Sequence, residues 1–203
     1  MDRHSIVLRA ANPTFDEGLA FARYADEVAE GFFRFMLGSR VEQILATVFA
    51  QPDHDLSYQH VTFAERDDVI VGMVVGYTAE QHRRSSRQPL KQAAGRLNLR
   101  MRIVQILFAP LMRIIDSIAD GDFYVQFIAV DKDLRGDGVG SVLMDSAEER
   151  ARASGSTRLS LDVSAENEGA RRFYECRMMT VDSQWPKRLA MPGLRFYRMT
   201  KSL

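Results

Sequence analysis

The segment Arg135-Gly136-Asp137-Gly138-Val139-Gly140-Ser141 puts three alternate glycines at the opening of a helix, after an apolar strand and a short charged spacer. Without Cβ atoms on one wall of the turn, backbone N–H groups can converge on an anion, and the helix dipole adds partial positive charge at the same spot. Arg135 supplies a cation suited to phosphate. The chemistry implied is binding of a phosphate or diphosphate. A Walker loop needs Lys-Ser or Lys-Thr after its last glycine, and Ser141-Val142 follow Gly140 instead. The dinucleotide fingerprint needs glycine where Ser141 stands and no spacer like Asp131 to Arg135. The bland alternative is a tight loop whose glycines serve only the turn.

A second constellation follows on the next strand and helix. Leu161 and Val163 mark the strand, and Asn167-x-x-Ala170-x-x-Phe173-Tyr174 opens the helix. Asn167, Ala170 and Tyr174 share one helical face, with Phe173 beside it. Ala170 permits close approach of a ligand, Tyr174 brings a phenol one turn further on, and Phe173 packs in the core. The lone cysteine, Cys176, has no histidine in a recognisable partnering position, so it reads as an inert helix-end thiol. His54, His60 and His82 have no metal-ligand spacing, and no metal is expected.

The elements that must carry these residues are legible in the periodicity. Ser5 to Ala10, His60 to Glu65, Val69 to Tyr77, Phe123 to Val130, Arg158 to Val163, Thr180 to Ser183 and Arg195 to Thr200 read as strands. Arg66-Asp67-Asp68 reads as a hairpin turn, and Gly72 and Gly76 mark sites of bending or bulging. Helices are expected from Thr14 or Asp16 to about Tyr24 or beyond, over Glu30 to Gln51 with a division at Gly38, from Gly138 to Ala153, and from Asn167 to Cys176. Residues 81–120 form a basic helical insertion broken at Pro89, Gly95 and Pro110, with an apolar stripe through Leu97, Met101, Val104 and Leu107. Strands and helices in this order predict an α/β (α+β) fold: one domain over residues 1–203, with a mixed sheet flanked by helices.

Composition bounds the function. The chain has 203 residues, 27 basic against 27 acidic, and 46% apolar residues, as in an ordinary globular protein. One cysteine excludes a disulfide scaffold, no secretory signal or membrane span is visible, and the expectation is a cytoplasmic protein. The insertion holds eight basic residues, among them Arg83, Arg84 and Arg87, against Asp116 and Asp120. Its bland reading is a solvated helix face. It lacks interleaved aromatics, so no nucleic-acid partner is expected. An exposed apolar face on it would suit a homodimer.

Together, Arg-x-x-Gly-x-Gly at Arg135 to Gly140 and Asn-x-x-Ala-x-x-Phe-Tyr at Asn167 to Tyr174 resemble the GCN5-related N-acetyltransferase (GNAT) superfamily. The close resemblance covers about Phe123 to Cys176. It implies a mostly antiparallel sheet whose central strands splay into a cleft for acetyl-coenzyme A. The backbone of Ile128, Ala129 and Val130 would then pair with the pantetheine arm. The amides of Arg135, Gly136, Asp137, Gly138, Val139, Gly140 and Ser141 would hold the diphosphate. Asn167 would bond to the pantetheine side, Ala170 and Phe173 would line the channel, and Tyr174 would protonate the leaving thiolate. The implied activity is N-acetyl transfer to an amine acceptor, small molecule or peptide, by direct attack. A non-catalytic acyl-coenzyme A sensor is the alternative. No general base is assigned: Glu80 and Asp122 are placed near the cleft mouth, and Gln126 cannot act as a base. The chain departs from the family in having Met178-Met179 where relatives often have a helix-ending glycine, and methionine resists a left-handed cap, so a different helix end is expected.

Overall fold

The computed structural model describes residues 6–86, 88–95, 103, 117–186 and 195–203. β1 (Val7–Ala10) leads into three helices: α1 (Phe15–Val28), α2 (Phe32–Leu37) and α3 (Val41–Phe49). Thr14 starts α1 by accepting the Glu17 amide on its side chain, and Gly38 divides α2 from α3, as the sequence predicts. β2 (Val61–Arg66) and β3 (Val69–Thr78) form a hairpin. Its two-residue turn puts both Asp67 and Asp68 at positive φ (53° and 61°), the backbone that matches the natural twist of a hairpin.

Two short helices follow: α4 (Ala79–Arg84) and α5 (Gln88–Ala94). The predicted stripe from Leu97 to Leu107 lies outside the described residues. β4 (Asp122–Val130), α6 (Val139–Ala153), β5 (Arg158–Ser164) and α7 (Glu168–Cys176) then alternate, and β6 (Thr180–Trp185) and β7 (Phe196–Ser202) complete the chain.

The seven strands make one sheet in the order β1-β2-β3-β4-β5-β7-β6, in which β4 and β5 run parallel and every other neighbouring pair is antiparallel. This is the mixed, mostly antiparallel sheet expected from the sequence. One face packs on α6 and α7 through Val74, Val125, Leu143, Met144, Leu161 and Tyr174. The other packs on α1 and α3 through Phe21, Tyr24, Phe49, Phe63, Met73 and Phe127. Burial on both faces explains the near-continuous apolar run of β4. Among the described residues no helix is long and apolar enough to cross a membrane.

Candidate active site

The site begins where the sheet comes apart. β4 and β5 are paired only from Asp122↔Arg158 to Val125↔Leu161. Beyond that point β4 stays with β3 as far as Gly72↔Val130, and β5 stays with β7 as far as Ser164↔Phe196. The two parallel strands therefore diverge and leave a wedge.

A bulge is the local cause. Gly76 faces Val125 and Val75 faces Phe127, so Gln126 is an extra residue that bends β4. Gly76 is required here, because a Cβ would lie 2.5 Å from the Phe123 ring. Arg150 of α6 fixes the distortion from the helix side, donating to the Gly76 carbonyl at 3.0 Å and the His60 carbonyl at 3.2 Å.

The wedge wall has a defined polarity. Asp131 donates its amide to the Val71 carbonyl at 2.9 Å. Alternation along an antiparallel pair then gives the main-chain groups of Ala129 and Phe127 to β3, and turns those of Ile128 and Val130 into the wedge. Ala129 thus contributes no free main-chain group to an added strand. The Val130 carbonyl already accepts from Arg135 Nε at 3.2 Å.

At the outer end of the wedge the glycine loop turns into α6. Gly136 and Gly138 have φ of 97° and 89°, a backbone that only glycine adopts without strain. The Arg135 and Asp137 amides bond back to Lys132 and Leu134 carbonyls. Those of Gly136, Gly138, Val139, Gly140 and Ser141 have no acceptor among the described residues. These N–H groups sit at the positive end of a fifteen-residue helix, an arrangement that accommodates an anion. The Arg135 guanidinium is held by Glu27 of α1 at 2.9 Å, and Lys132 lies 3.9 Å from the same carboxylate.

α7 closes the wedge from the other strand. Phe173 packs near Gly140, where an added Cβ would meet its ring at 3.6 Å and Val130 at 3.8 Å, so the two sequence motifs meet. Asn167 is the N-cap of α7, its Oδ1 accepting from the Ala170 amide at 3.0 Å, so only its Nδ2 remains for a ligand. Ala170 is half-buried beside it. The Tyr174 ring lies in the core, 5.4 Å from Phe173, and burial pushes its phenol well above the usual range.

The α7 C-terminus differs from expectation. Met178 does adopt a left-handed backbone (φ 65°); its amide bonds to Glu175, and the Met179 amide bonds to Tyr174. This is the double closure usually built on glycine. Burial of Met179 in the core offsets the strain at Met178.

Other residues are not brought to the wedge. Asp122 is at the paired end of β4, bound by Arg158 at 2.7 and 3.2 Å, and Glu80 is beside it at the start of α4, paired with Arg84. Both line a polar depression of about 240 Å³ with Arg83, Asp120 and Ser156, at the end opposite the glycine loop. Their placement at the cleft mouth is thus corrected: they follow or precede strand ends that point away from it. Arg83 pairs with Asp120. Cys176 is exposed, and among the described residues no cluster of His, Cys, Asp or Glu could hold a metal ion.

Sequence reasoning missed a buried polar group next to the fork. Asp162 of β5 is held by Arg198 of β7 through Nε at 2.9 Å and Nη2 at 2.6 Å, and it accepts from the Tyr124 hydroxyl at 2.9 Å. The signal available was one charge inside the apolar strand Leu159-Ser160-Leu161-Asp162-Val163.

A parted pair of parallel strands beside a glycine-rich helix start defines an acyltransferase-type fold. A sequence model of the acetyltransferase (GNAT) family matches residues 24–178, and the chain belongs to that family. Among solved structures, one described as an acetyltransferase is 25% identical with a TM-score of 0.69, over 97% of this chain and 98% of its own. An N-acetyltransferase from Staphylococcus aureus Mu50 is 16% identical with a TM-score of 0.67, over 96% and 100%. The NatC complex bound to Gag peptide and CoA is 12% identical with a TM-score of 0.57, over 98% and 99%. None of the curated proteins matches the chain.

Proposed function

We propose that this protein transfers an acetyl group from acetyl-coenzyme A to an amine by direct attack. The observation that carries the reading is the alignment of two sets of uncommitted main-chain groups. Ile128 and the Val130 amide face the wedge, the Val130 carbonyl being held by Arg135, and the amides of Gly136 and Gly138 to Ser141 stand at its outer end. An extended pantetheine arm would add to β4 as a strand, and its diphosphate would lie on those amides. Asn167 Nδ2, Ala170 and Phe173 would line the arm. A neighbour of the same fold holds CoA, which is consistent with this cargo.

In this reading the thioester would lie toward the fork with Tyr174 beside it. The neutral amine attacks the carbonyl carbon, an N–C bond forms and the C–S bond breaks. The departing thiolate takes the Tyr174 proton, and the extra proton lost by the nitrogen returns through water to the Tyr174 phenolate. Burial keeps Tyr174 protonated at neutral pH, the state a general acid requires. The acceptor is a small amine or a peptide amine, and the basic insertion favours one that also carries negative charge.

Thiol release from acetyl-coenzyme A with a panel of primary amines, followed by product mass, tests this reading. Tyr174→Phe should lower kcat by roughly 10²–10⁴-fold while changing the Kd for CoA by no more than about twofold. Unchanged turnover would remove Tyr174 from the reaction. Tight CoA binding with no amine acetylated would point to an acyl-coenzyme A sensor instead.

A further inference from the structure

The apex of the fork holds a side chain that the protein itself leaves unsatisfied. Gln126 is the extra residue of the β4 bulge and the first β4 position past the last β4–β5 pair. Its Oε1 is buried and has no hydrogen-bond partner among the described residues. Burying an amide oxygen without a donor is costly, and such a group asks for a partner that arrives from outside. The terminal torsion of a glutamine is soft, so its amide can turn to meet one at little cost.

Across the fork, in the register of the paired segment, is Asp162. Its charge is already matched by Arg198, on both oxygens, and by the Tyr124 hydroxyl. The Arg198 guanidinium also lies over the Tyr124 ring, 5.4 Å from its centre. Further down the paired strands Asp122 is bound by Arg158. On β5, opposite Tyr124, the Ser160 hydroxyl is buried and likewise without a partner among the described residues. Among the described residues Asp162 and Asp122 are thus each matched by an arginine, and Asp55, whose charge is felt at Tyr124, is held on one oxygen by His82 Nδ1 at 3.0 Å and has its Oδ1 buried without a partner.

We propose that Gln126 Oε1 receives an N–H of the acceptor amine, and that the site selects amines that are uncharged near neutral pH, α-amino groups over alkylammonium groups. This rests on the acetyltransfer reading above. An ammonium brought to Gln126 would lose its water beside a neutral amide, with Asp162 and Asp122 already paired to arginines and Asp55 beyond Tyr77 and His82. An α-amine has an ordinary pKa of about 7.7–8.0 against about 10.4 for a lysine side chain, so at pH ~7.5 its neutral form is roughly two- to three-hundredfold more abundant.

The test uses the full chain with saturating acetyl-coenzyme A at pH ~7.5 and reads thiol release from two sets of probes. One set is dipeptides with a free N-terminus. The other is Nα-acetyl-lysine amide and diaminoalkanes. The expected kcat/KM is at least about tenfold higher for the dipeptides. Gln126→Met should raise the acceptor KM about tenfold or more and leave the Kd for acetyl-coenzyme A within about twofold. The same substitution should raise the thermal midpoint by about 2–4 °C, because an unpaired buried oxygen is replaced by an apolar side chain of similar length. Gln126→Glu should lower the KM of the diaminoalkanes by supplying the missing charge.

Alkylamines used as well as dipeptides, or an unchanged acceptor KM in Gln126→Met, would overturn the inference and leave acetyltransfer standing. So would a lower thermal midpoint with both binding constants unchanged, which marks a structural side chain. Turnover of neither set, with acetyl-coenzyme A still bound, would overturn the acetyltransfer reading and this inference together.

Discussion

Arg135 is already engaged by an anion and a carbonyl. Glu27 holds it at 2.9 Å, and the Val130 carbonyl accepts its Nε. An exposed pair of this kind contributes roughly 0.2–1 kcal/mol. A diphosphate that engages Arg135 would compete with the Glu27 carboxylate or lie beside its like charge, so Glu27→Gln should tighten CoA binding about two- to fivefold in a calorimetric titration. Weaker binding would show that Glu27 orients Arg135 instead of competing for it. At this scale the glycines were readable in the sequence, since positive φ at Gly136 and Gly138 is a demand that few other residues meet. Asn167 was readable only as one of two things. Helix capping and ligand binding draw on the same side-chain oxygen, and the fold commits that oxygen to the Ala170 amide. Gln126 was readable as a polar residue on the buried strand that cannot act as a base, but not as the extra residue of a bulge. The bulge that isolates it arises from pairing with β3 opposite Gly76, fifty residues away.

Elements were easier to read than residues because apolar periodicity repeats over many positions. The strands of the sheet and the division at Gly38 follow from it. The end of α7 did not, since the penalty for methionine at positive φ is local and the gain that offsets it is tertiary. Met179, one residue on, is buried against the core. Forcing a non-glycine residue into this backbone costs roughly 1–2 kcal/mol. Met178 is 77% exposed, so its side chain gives little back. Met178→Gly should therefore stabilise the fold by about 1 kcal/mol in urea unfolding, with acetyl-coenzyme A binding unaltered. A loss of stability would mean that the Met178 side chain holds the α7 end in place.

At the scale of the whole molecule, the sheet divides two kinds of surface. The α6 and α7 face is a dry core that holds Tyr174. The opposite face, past the aromatic packing of α1 and α3, carries a buried polar group around Asp55. His82 Nδ1 lies 3.0 Å from Asp55, His82 stacks on Tyr77, and the His60 ring meets Tyr77 edge-on at 5.4 Å. Burial, with Arg150 and His54 adding to it, lowers His60 to about 4; the nearby Asp55 and Asp53 carboxylates only partly oppose this. An unfolded histidine takes up its proton near pH ~6.5. Between these values the unfolded chain binds the extra proton, so stability is full above pH ~6.5 and falls as the pH drops toward about 4, by about 3 kcal/mol in all. Urea unfolding across this range should show that slope, and His60→Gln should flatten it. An unchanged slope would place the acid sensitivity elsewhere.

Two distant parts of the sheet, the fork made by β4 and β5 and the loop that opens α6, have meaning together only if one extended ligand runs between them. Titration calorimetry of the full chain with acetyl-coenzyme A tests this most directly, with Gly138→Ala as the comparison. Nothing lies within 4 Å of where that Cβ would sit, so the fold itself meets only the backbone cost of φ 89°, while the added methyl stands on the loop that would hold the diphosphate. One site per chain of micromolar affinity, weakened about tenfold or more by Gly138→Ala in a protein that remains folded, is the predicted result. Absence of heat at millimolar ligand, or equal binding by both proteins, would contradict it.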